Sequence, residues 1–373
     1  MKNPFKYGTK VTGCSFYDRR EIRSAMMNVL DGGNNVVLYG PRRYGKSSLV
    51  AEMIDELRAK GTICIYLNMM AVASLGDFIL LYTKSVYDQF APTAGALNRI
   101  TGFFKRVRPA LVVNDEGRPE MTLSFESGKV GVPELREVFE LPDKLRKDKQ
   151  SVVVVIDEFQ EVAELGLKGR FEQIMRSVIE NHRDIAYVFL GSKTHMLRRM
   201  FAQPSRPFYR SAQTFSLNLP PEDESIRFVV GRFVAAGLTI DERLAGLLVE
   251  HAGNVPYYLQ ALGSWVFRVV SERGGRVVRE GEVLAGIKSL LAGESELFEH
   301  LFRSLPESQR LVARAIAREQ VATFTEDYRM RHFLPSLSTV GTAVRRLMED
   351  SRIDVVNGVY RHVDPLFAWY LSH

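Results

Sequence analysis

The chain has 373 residues, 46% of them hydrophobic and 25% charged, with 50 Lys and Arg against 44 Asp and Glu for a formal charge of +6. That length fits two or three domains of roughly 100–200 residues each, and the composition excludes a disordered chain, a collagen-like repeat and a small disulfide scaffold. The basic excess permits an anionic partner without demanding one.

The N-terminal stretch carries Lys2, Lys6 and Lys10 with no apolar core, and no run of about 18 apolar residues follows anywhere, so neither a signal peptide nor a membrane span is expected. Cys14 and Cys64 lack the spacing of a zinc site or a disulfide framework, which points to a reducing, cytoplasmic setting. Short runs rich in β-branched or aromatic residues predict buried strands at Val36–Tyr39, Ile63–Leu67, Val152–Ile156 and Ala186–Leu190. Helical spacing of Leu49, Val50, Met53, Ile54 and Leu57, and of Phe171, Ile174, Met175, Val178 and Ile179, supplies the crossovers. Alternation of this kind predicts a parallel sheet with helices on both faces. A fifth strand is expected at Thr214–Leu219, stopped by Pro220-Pro221, so the first domain ends near residue 220.

Between the second and third strands, Pro109–Val113 and Met121–Phe125 read as hairpin arms around Asn114-Asp115-Glu116-Gly117, an insertion at about 105–130. Lys105, Arg106, Arg108, Lys144, Arg146, Lys147 and Lys149 read as a solvated face or a basic patch. From Glu222 to about Leu291 the pattern is helical, broken at Gly237, Gly253–Pro256 and Gly274-Gly275, and suggests a small helical lid over 221–291. In 292–373, helices at Gln309–Arg318 and Val340–Met348 precede strands Arg352–Val356 and Val359–Val363 around Asn357-Gly358. Asn-Gly accepts the positive φ of a type I′ hairpin turn, and helices followed by such a hairpin describe a winged helix.

Gly40-Pro41-Arg42-Arg43-Tyr44-Gly45-Lys46-Ser47 fits the phosphate-loop pattern GxxxxGK[ST], the Walker A motif, between a predicted strand and a predicted helix. Its glycines let backbone N–H groups wrap phosphate oxygens, Lys46 reaches the β- and γ-phosphates, and Ser47 ligates Mg²⁺. Ser48 follows at the loop's edge. The strand Val152–Ile156 ends in Asp157 and Glu158, a Walker B pattern in which Asp157 holds Mg²⁺ and Glu158 orients the attacking water. The fold class is therefore a P-loop α/β sheet with a helical lid and a C-terminal winged helix, with a nucleotide and Mg²⁺ as cofactors.

The chain resembles archaeal-type P-loop ATPases of the AAA+/STAND group, relatives of the Orc/Cdc6 initiators. The resemblance rests on Phe16-Tyr17-Asp18-Arg19, the Walker A run through Leu49, Asp157-Glu158-Phe159-Gln160, Gly191-Ser192, Gly253-Asn254-Val255-Pro256 and Asp364-Pro365-Leu366-Phe367. It implies ATP or ADP as the nucleotide. It implies that Ser192 stands at the sensor-1 position, where a polar side chain reads the γ-phosphate. A helix N-cap is the competing role for a serine there. It implies that Pro256 couples nucleotide to lid, although Gly and Pro also simply punctuate helices. It further implies that Arg19 lies on the adenine side of the pocket and that Arg210 is a phosphate-contacting arginine, in cis or across a homo-oligomer boundary. An ordinary surface arginine is the alternative for Arg210. No sensor-2 arginine stands beside Gly253–Pro256, a departure from many AAA+ proteins.

On the expected recognition helix, Val340, Val344, Leu347 and Met348 share one face, leaving Thr342, Arg345 and Arg346 as candidate DNA-binding residues. Residues 301–373 hold ten Arg and no Lys against eight Asp or Glu, a faint footprint for a DNA-binding module. Duplex DNA and a protein therefore both remain as partners. The aromatic residues Phe367, Trp369 and Tyr370, beside Leu366 and Leu371, read as core or docking surface. The leading expectation is an ATPase whose nucleotide sets the posture of the winged helix. The alternatives are a non-hydrolysing nucleotide-bound scaffold and a DNA-binding regulator.

Overall fold

The computed structural model describes residues 2–13, 16–17, 19–90, 107–113, 119–125, 131–147, 149–165, 167, 169–356 and 358–373. Cys14, Asp18, Lys105, Arg106, the turn 114–117 and Asn357 lie outside the described residues. The chain packs as two units, one made of 20–40 and 49–217, the other of 1–19, 41–48 and 218–373.

In the first unit, α1 (Arg20–Asp31) leads into β1 (Val36–Tyr39), the body of α2 (Lys46–Ala59), β2 (Ile63–Asn68) and α3 (Leu75–Phe90). The hairpin β3 (Val107–Val113) and β4 (Pro119–Phe125) precedes α4 (Val132–Leu145) and β5 (Val152–Asp157). Then come α5 (Arg170–Ile179), β6 (Ile185–Gly191), α6 (Thr194–Ala202) and β7 (Gln213–Ser216). Five strands form one parallel sheet in the order β2-β5-β6-β1-β7. Every residue of β5 and β6 is buried. Since alternate residues face opposite ways, helices must cover both faces, as the unbroken apolar runs predict. Four rings, Phe78, Tyr82, Phe139 and Phe171, interlock across α3, α4 and α5 at centroid distances of 5.0–5.8 Å. Cys64 is a buried free thiol, pushed up to about 11 by that burial. The fifth strand is shorter than expected, running from Gln213 to Ser216, and the Leu217 N–H adds one more ladder bond to the Tyr39 carbonyl at 2.8 Å. Of the basic residues near the insertion, Lys144 pairs with Glu140 and Arg146 with Asp143 and Asp184.

The second unit is helical: α7 (Glu222–Ala235), α8 (Glu242–His251), α9 (Pro256–Glu272) and α10 (Glu280–Arg303). Phe5 of the N-terminal segment packs edge-on against Phe233 at 4.9 Å and lies where any side chain at Gly263 would collide with it. The 24-residue α10 runs unbroken through the boundary expected at 291/292. Its Gly286 sits against Val266 of α9, and Gly293 leaves the helix intact. After it come α11 (Glu307–Arg318), α12 (Glu326–Arg331), α13 (Leu337–Glu349), the antiparallel pair β8 (Ile353–Val356) and β9 (Val359–His362), and α14 (Pro365–Ser372). A bridge from Val321 to Tyr360 extends the hairpin, which completes a winged helix. Phe298 of α10 meets Phe367 and Tyr370 of α14 at 5.6 Å, so Phe367 belongs to the core, while Tyr370 and Trp369 are half-buried and Trp369 stacks on His373. No helix among the described residues is long and apolar enough to cross a membrane.

One glycine governs how β1 ends. A Cβ on Gly40 would stand 2.7 Å from the Leu217 carbonyl oxygen, a backbone atom with no freedom to move aside. Gly40→Ala is therefore expected to lower stability by about 1–3 kcal/mol, measured as a lower urea midpoint at unchanged m-value. An unchanged midpoint would show that the strand end yields.

Candidate functional site

The phosphate loop is shaped by left-handed turns. Gly45 stands at φ +93° and Arg43 at φ +69°, a conformation that costs a non-glycine residue about 1–3 kcal/mol unless its surroundings hold it. They do. The Arg43 guanidinium pairs with Asp364 at 2.9 Å and lies over the rings of Tyr257 and Tyr258 at 4.7 and 4.8 Å. Asp364 is anchored in turn as the N-cap of α14, its Oδ1 accepting from Leu366 and Phe367 N–H at 3.0 and 3.1 Å. Tyr44, the next loop residue, is buried to 4% exposure. That burial pushes its phenol up to about 12, while Arg361 of β9 acts in the opposite direction.

Other loop residues have their own anchors. Lys46 is 5% exposed and its Nζ donates to the Pro41 carbonyl at 2.9 Å, so the ammonium is already turned onto the loop. Ser48 Oγ accepts from Val11 N–H at 3.1 Å, which makes it a tether for the N-terminal segment. Ser47 is half-buried and Arg42 exposed. Arg19 is buried at φ +77° and donates to the Tyr44 carbonyl at 3.4 Å, so it braces the loop. Tyr17 stacks on Phe228 at 4.1 Å, and its hydroxyl meets Ser225, which donates to Asn254. Gly253 and Asn254 both take positive φ before Pro256 opens α9, and a Cβ on Gly253 would lie 3.0 Å from Pro365. Gly253–Pro256 thus punctuates two helices and also abuts the start of α14.

The Walker B residues lie in the sheet unit, at the C-terminal end of β5. Asp157 is buried; its Oδ1 accepts Glu158 N–H at 2.9 Å and its Oδ2 accepts the Tyr66 hydroxyl at 2.6 Å. Glu158 turns away in the left-handed region at φ +53°. Its Oε2 accepts Ser192 N–H at 3.1 Å, the Ser192 hydroxyl at 2.8 Å and the Gln160 amide at 2.5 Å. Gly191 makes room for this, since a side chain there would strike Gln160 and Leu197. The N-cap position of α6 falls to Lys193, so the helix-capping role considered for Ser192 is not the one its hydroxyl plays. Arg210 is exposed and stacks on Tyr209 at 5.1 Å. Sequence reasoning missed Tyr66, Gln160, Tyr257, Tyr258 and Asp364 as site residues, although Gln160 and Asp364 lie within motifs quoted for the resemblance.

On α13 the buried face is Val340, Ala343, Val344 and Leu347. Thr342, Arg345 and Arg346 are exposed; Thr342 Oγ1 bonds the Ser338 carbonyl at 3.1 Å and Arg346 pairs with Glu349 at 3.1 Å.

Chemically, the loop offers backbone N–H groups and an ammonium to phosphate, while the carboxylates offer a metal ligand and a water-orienting group. The Ser47 hydroxyl and Asp157 carboxylate are hard oxygen donors of the kind Mg²⁺ takes alongside phosphate and water. Among the described residues no group of three or more His, Cys, Asp or Glu gathers as a self-sufficient metal cage.

Sheet order, phosphate loop and acidic strand end together define a P-loop ATPase domain followed by a winged helix. Residues 16–220 match the family of ATPase domains found predominantly in Archaea, and residues 296–373 match a probable winged helix domain. The chain belongs to that ATPase family. Over 99% of its length it is similar to the Walker-type ATPase PABY2304 of Pyrococcus abyssi, covering 100% of that chain at 17% identity and a TM-score of 0.67. The Orc2 protein of Aeropyrum pernix, in ADPNP–ADP complexes, matches 95% of this chain and 91% of its own at 15% identity and a TM-score of 0.58. The Aeropyrum pernix Orc1 protein in complex with DNA matches 97% of this chain and 93% of its own at 14% identity and a TM-score of 0.52. At these identities the likeness shows a shared fold. No curated protein matches the sequence.

The Arg43–Asp364 pair has a pH signature. Burial holds the Asp364 carboxyl above its ordinary value of 3.8, and Arg43 opposes that shift. A folded-state value above the unfolded one means the folded form holds the proton more tightly. The contribution of this group to stability is therefore fullest below the unfolded value and falls as pH rises through the folded one. Removing Arg43 raises the carboxyl further. Arg43→Ala should thus be less stable than wild type at pH 7, by roughly 1 kcal/mol for the part-exposed pair plus the lost ring contacts. Below the carboxyl's ordinary value of 3.8 the ion-pair share is gone, because the raised Asp364 has already taken up its proton. Unfolding midpoints at both pH values measure this; a gap independent of pH would contradict the pairing.

Proposed function

We propose that the protein is a Mg²⁺-dependent ATPase whose nucleotide state sets the posture of its winged helix. The observation that carries this reading is the grip of C-terminal residues on the phosphate loop. Arg43 and Tyr44, at positions the motif leaves variable, are held by Asp364 and two tyrosines of α9 and buried near Arg361. A loop that must rearrange around phosphates then disturbs the winged helix, and the winged helix in turn biases nucleotide affinity, because such coupling is reciprocal.

In this reading Lys46 stabilises charge on the β- and γ-phosphates, Ser47 and Asp157 hold the metal, and Glu158 orients the attacking water for in-line displacement. The metal supplies neutralisation of developing phosphate charge when bound. Ser192 and Gln160 fix the direction of the Glu158 carboxylate. Arg210, exposed on Tyr209, is available to phosphate in cis or in a homo-oligomer. The finer reading of the winged helix is contact with duplex DNA, supported by exposed Thr342, Arg345 and Arg346 on one helix and by the DNA complex of the Orc1 protein.

Lys46→Ala is expected to lose ATP affinity. Glu158→Gln is expected to bind ATP as wild type does while turnover falls at least about 100-fold. Equilibrium binding with a fluorescent ATP analogue and phosphate release, with and without duplex DNA at low salt, check both. With DNA, Arg345→Ala and Arg346→Ala should weaken binding and flatten its salt dependence. Retained ADP with no turnover in any condition would favour a non-hydrolysing scaffold and overturn the proposal.

A further inference from the structure

Tyr66 stands on β2, one strand away from the Walker B aspartate. The parallel register sets Tyr66 opposite Val155 and Asn68 opposite Asp157. Side chains two residues apart share a face of a strand, so Tyr66 and Asp157 lie on the same face of the sheet as diagonal neighbours. Diagonal neighbours are within reach only of long or aromatic side chains. The phenol spans that gap and donates to Asp157 Oδ2 at 2.6 Å, while Glu158 N–H takes Oδ1 at 2.9 Å. A donor on each oxygen fixes the plane of the carboxylate.

We propose that Tyr66 is a positioning residue that aims Asp157 at the magnesium ion carried by the nucleotide. The inference rests on the ATPase reading above and names a residue that the Walker motifs do not contain. Tyr66 lies behind the metal ligand and acts through it. Partners of this kind orient ligating carboxylates, and their removal typically costs 10–100-fold in metal affinity. Phenylalanine preserves the ring and removes only the donor.

Mn²⁺ in place of Mg²⁺ gives a direct readout, because the EPR signal of the free ion is lost on binding. Mn²⁺ is titrated into wild type, Tyr66→Phe, Asp157→Asn and the double variant, each with protein in excess over ADP so that no unbound ADP captures the ion. ADP affinity is measured separately in EDTA. In Tyr66→Phe the Mn²⁺ half-saturation point should rise about tenfold with metal-free ADP affinity unchanged. In the Asp157→Asn background the same substitution should add nothing, since the group it positions is already altered. An unchanged or tighter half-saturation point overturns the proposal, as does a full further loss in the double variant. Loss of ADP binding in EDTA would also overturn it, because the ring would then be supporting the fold. Wild type that shows no metal-dependent ADP binding would instead bring down the ATPase reading on which this rests.

Discussion

A non-glycine residue held at positive φ inside the phosphate loop ties that loop to the lid and the winged helix. Arg43 at φ +69° occupies a conformation that glycine enters freely and other residues enter at a cost. What pins it is a carboxylate 321 residues away in sequence and two consecutive tyrosines at the start of α9. The tyrosines follow Pro256, which comes shortly after two positive-φ residues, Gly253 and Asn254, the first of which abuts Pro365. Loop, lid and winged helix therefore share one small polar and aromatic junction.

In the sheet unit, a different device separates two adjacent carboxylates. Successive strand residues point to opposite faces, but Asp157 closes the strand and Glu158 leaves it through a left-handed turn. Asp157 faces the phenol of Tyr66 and Glu158 faces Ser192 and Gln160. Neighbours in sequence thus acquire separate sets of donors, as the separate tasks proposed for them require.

Much of this was legible in the sequence because the chemistry is local. GxxxxGKS, the apolar run ending in Asp157-Glu158, and Asn357-Gly358 each carry their physical reason within a few residues. The four buried strands were read to within one residue at each end for the same reason. Contacts that join distant residues left no such trace. Tyr66 reaches Asp157 across 91 residues, and only the register of β2 against β5 makes them neighbours. Asp364 was visible as part of a motif, but nothing local says that its partner is Arg43. Ser192 could be a cap or a sensor by local rules alone, and the choice against capping came from the Glu158 carboxylate lying opposite. The unbroken α10 was hidden because a glycine within a helix costs about 1 kcal/mol, which packing against α9 offsets.

The central claim is that occupancy of the phosphate loop is felt by the winged helix through Arg43 and Asp364. Amide hydrogen exchange over β9 and the first turn of α14 tests it most directly, compared between nucleotide-free, ADP and ATP-loaded Glu158→Gln protein. Protection in these segments should change between the nucleotide states, and the change should vanish when Arg43→Ala is added. Exchange that is identical in all three states, with nucleotide demonstrably bound, would contradict it.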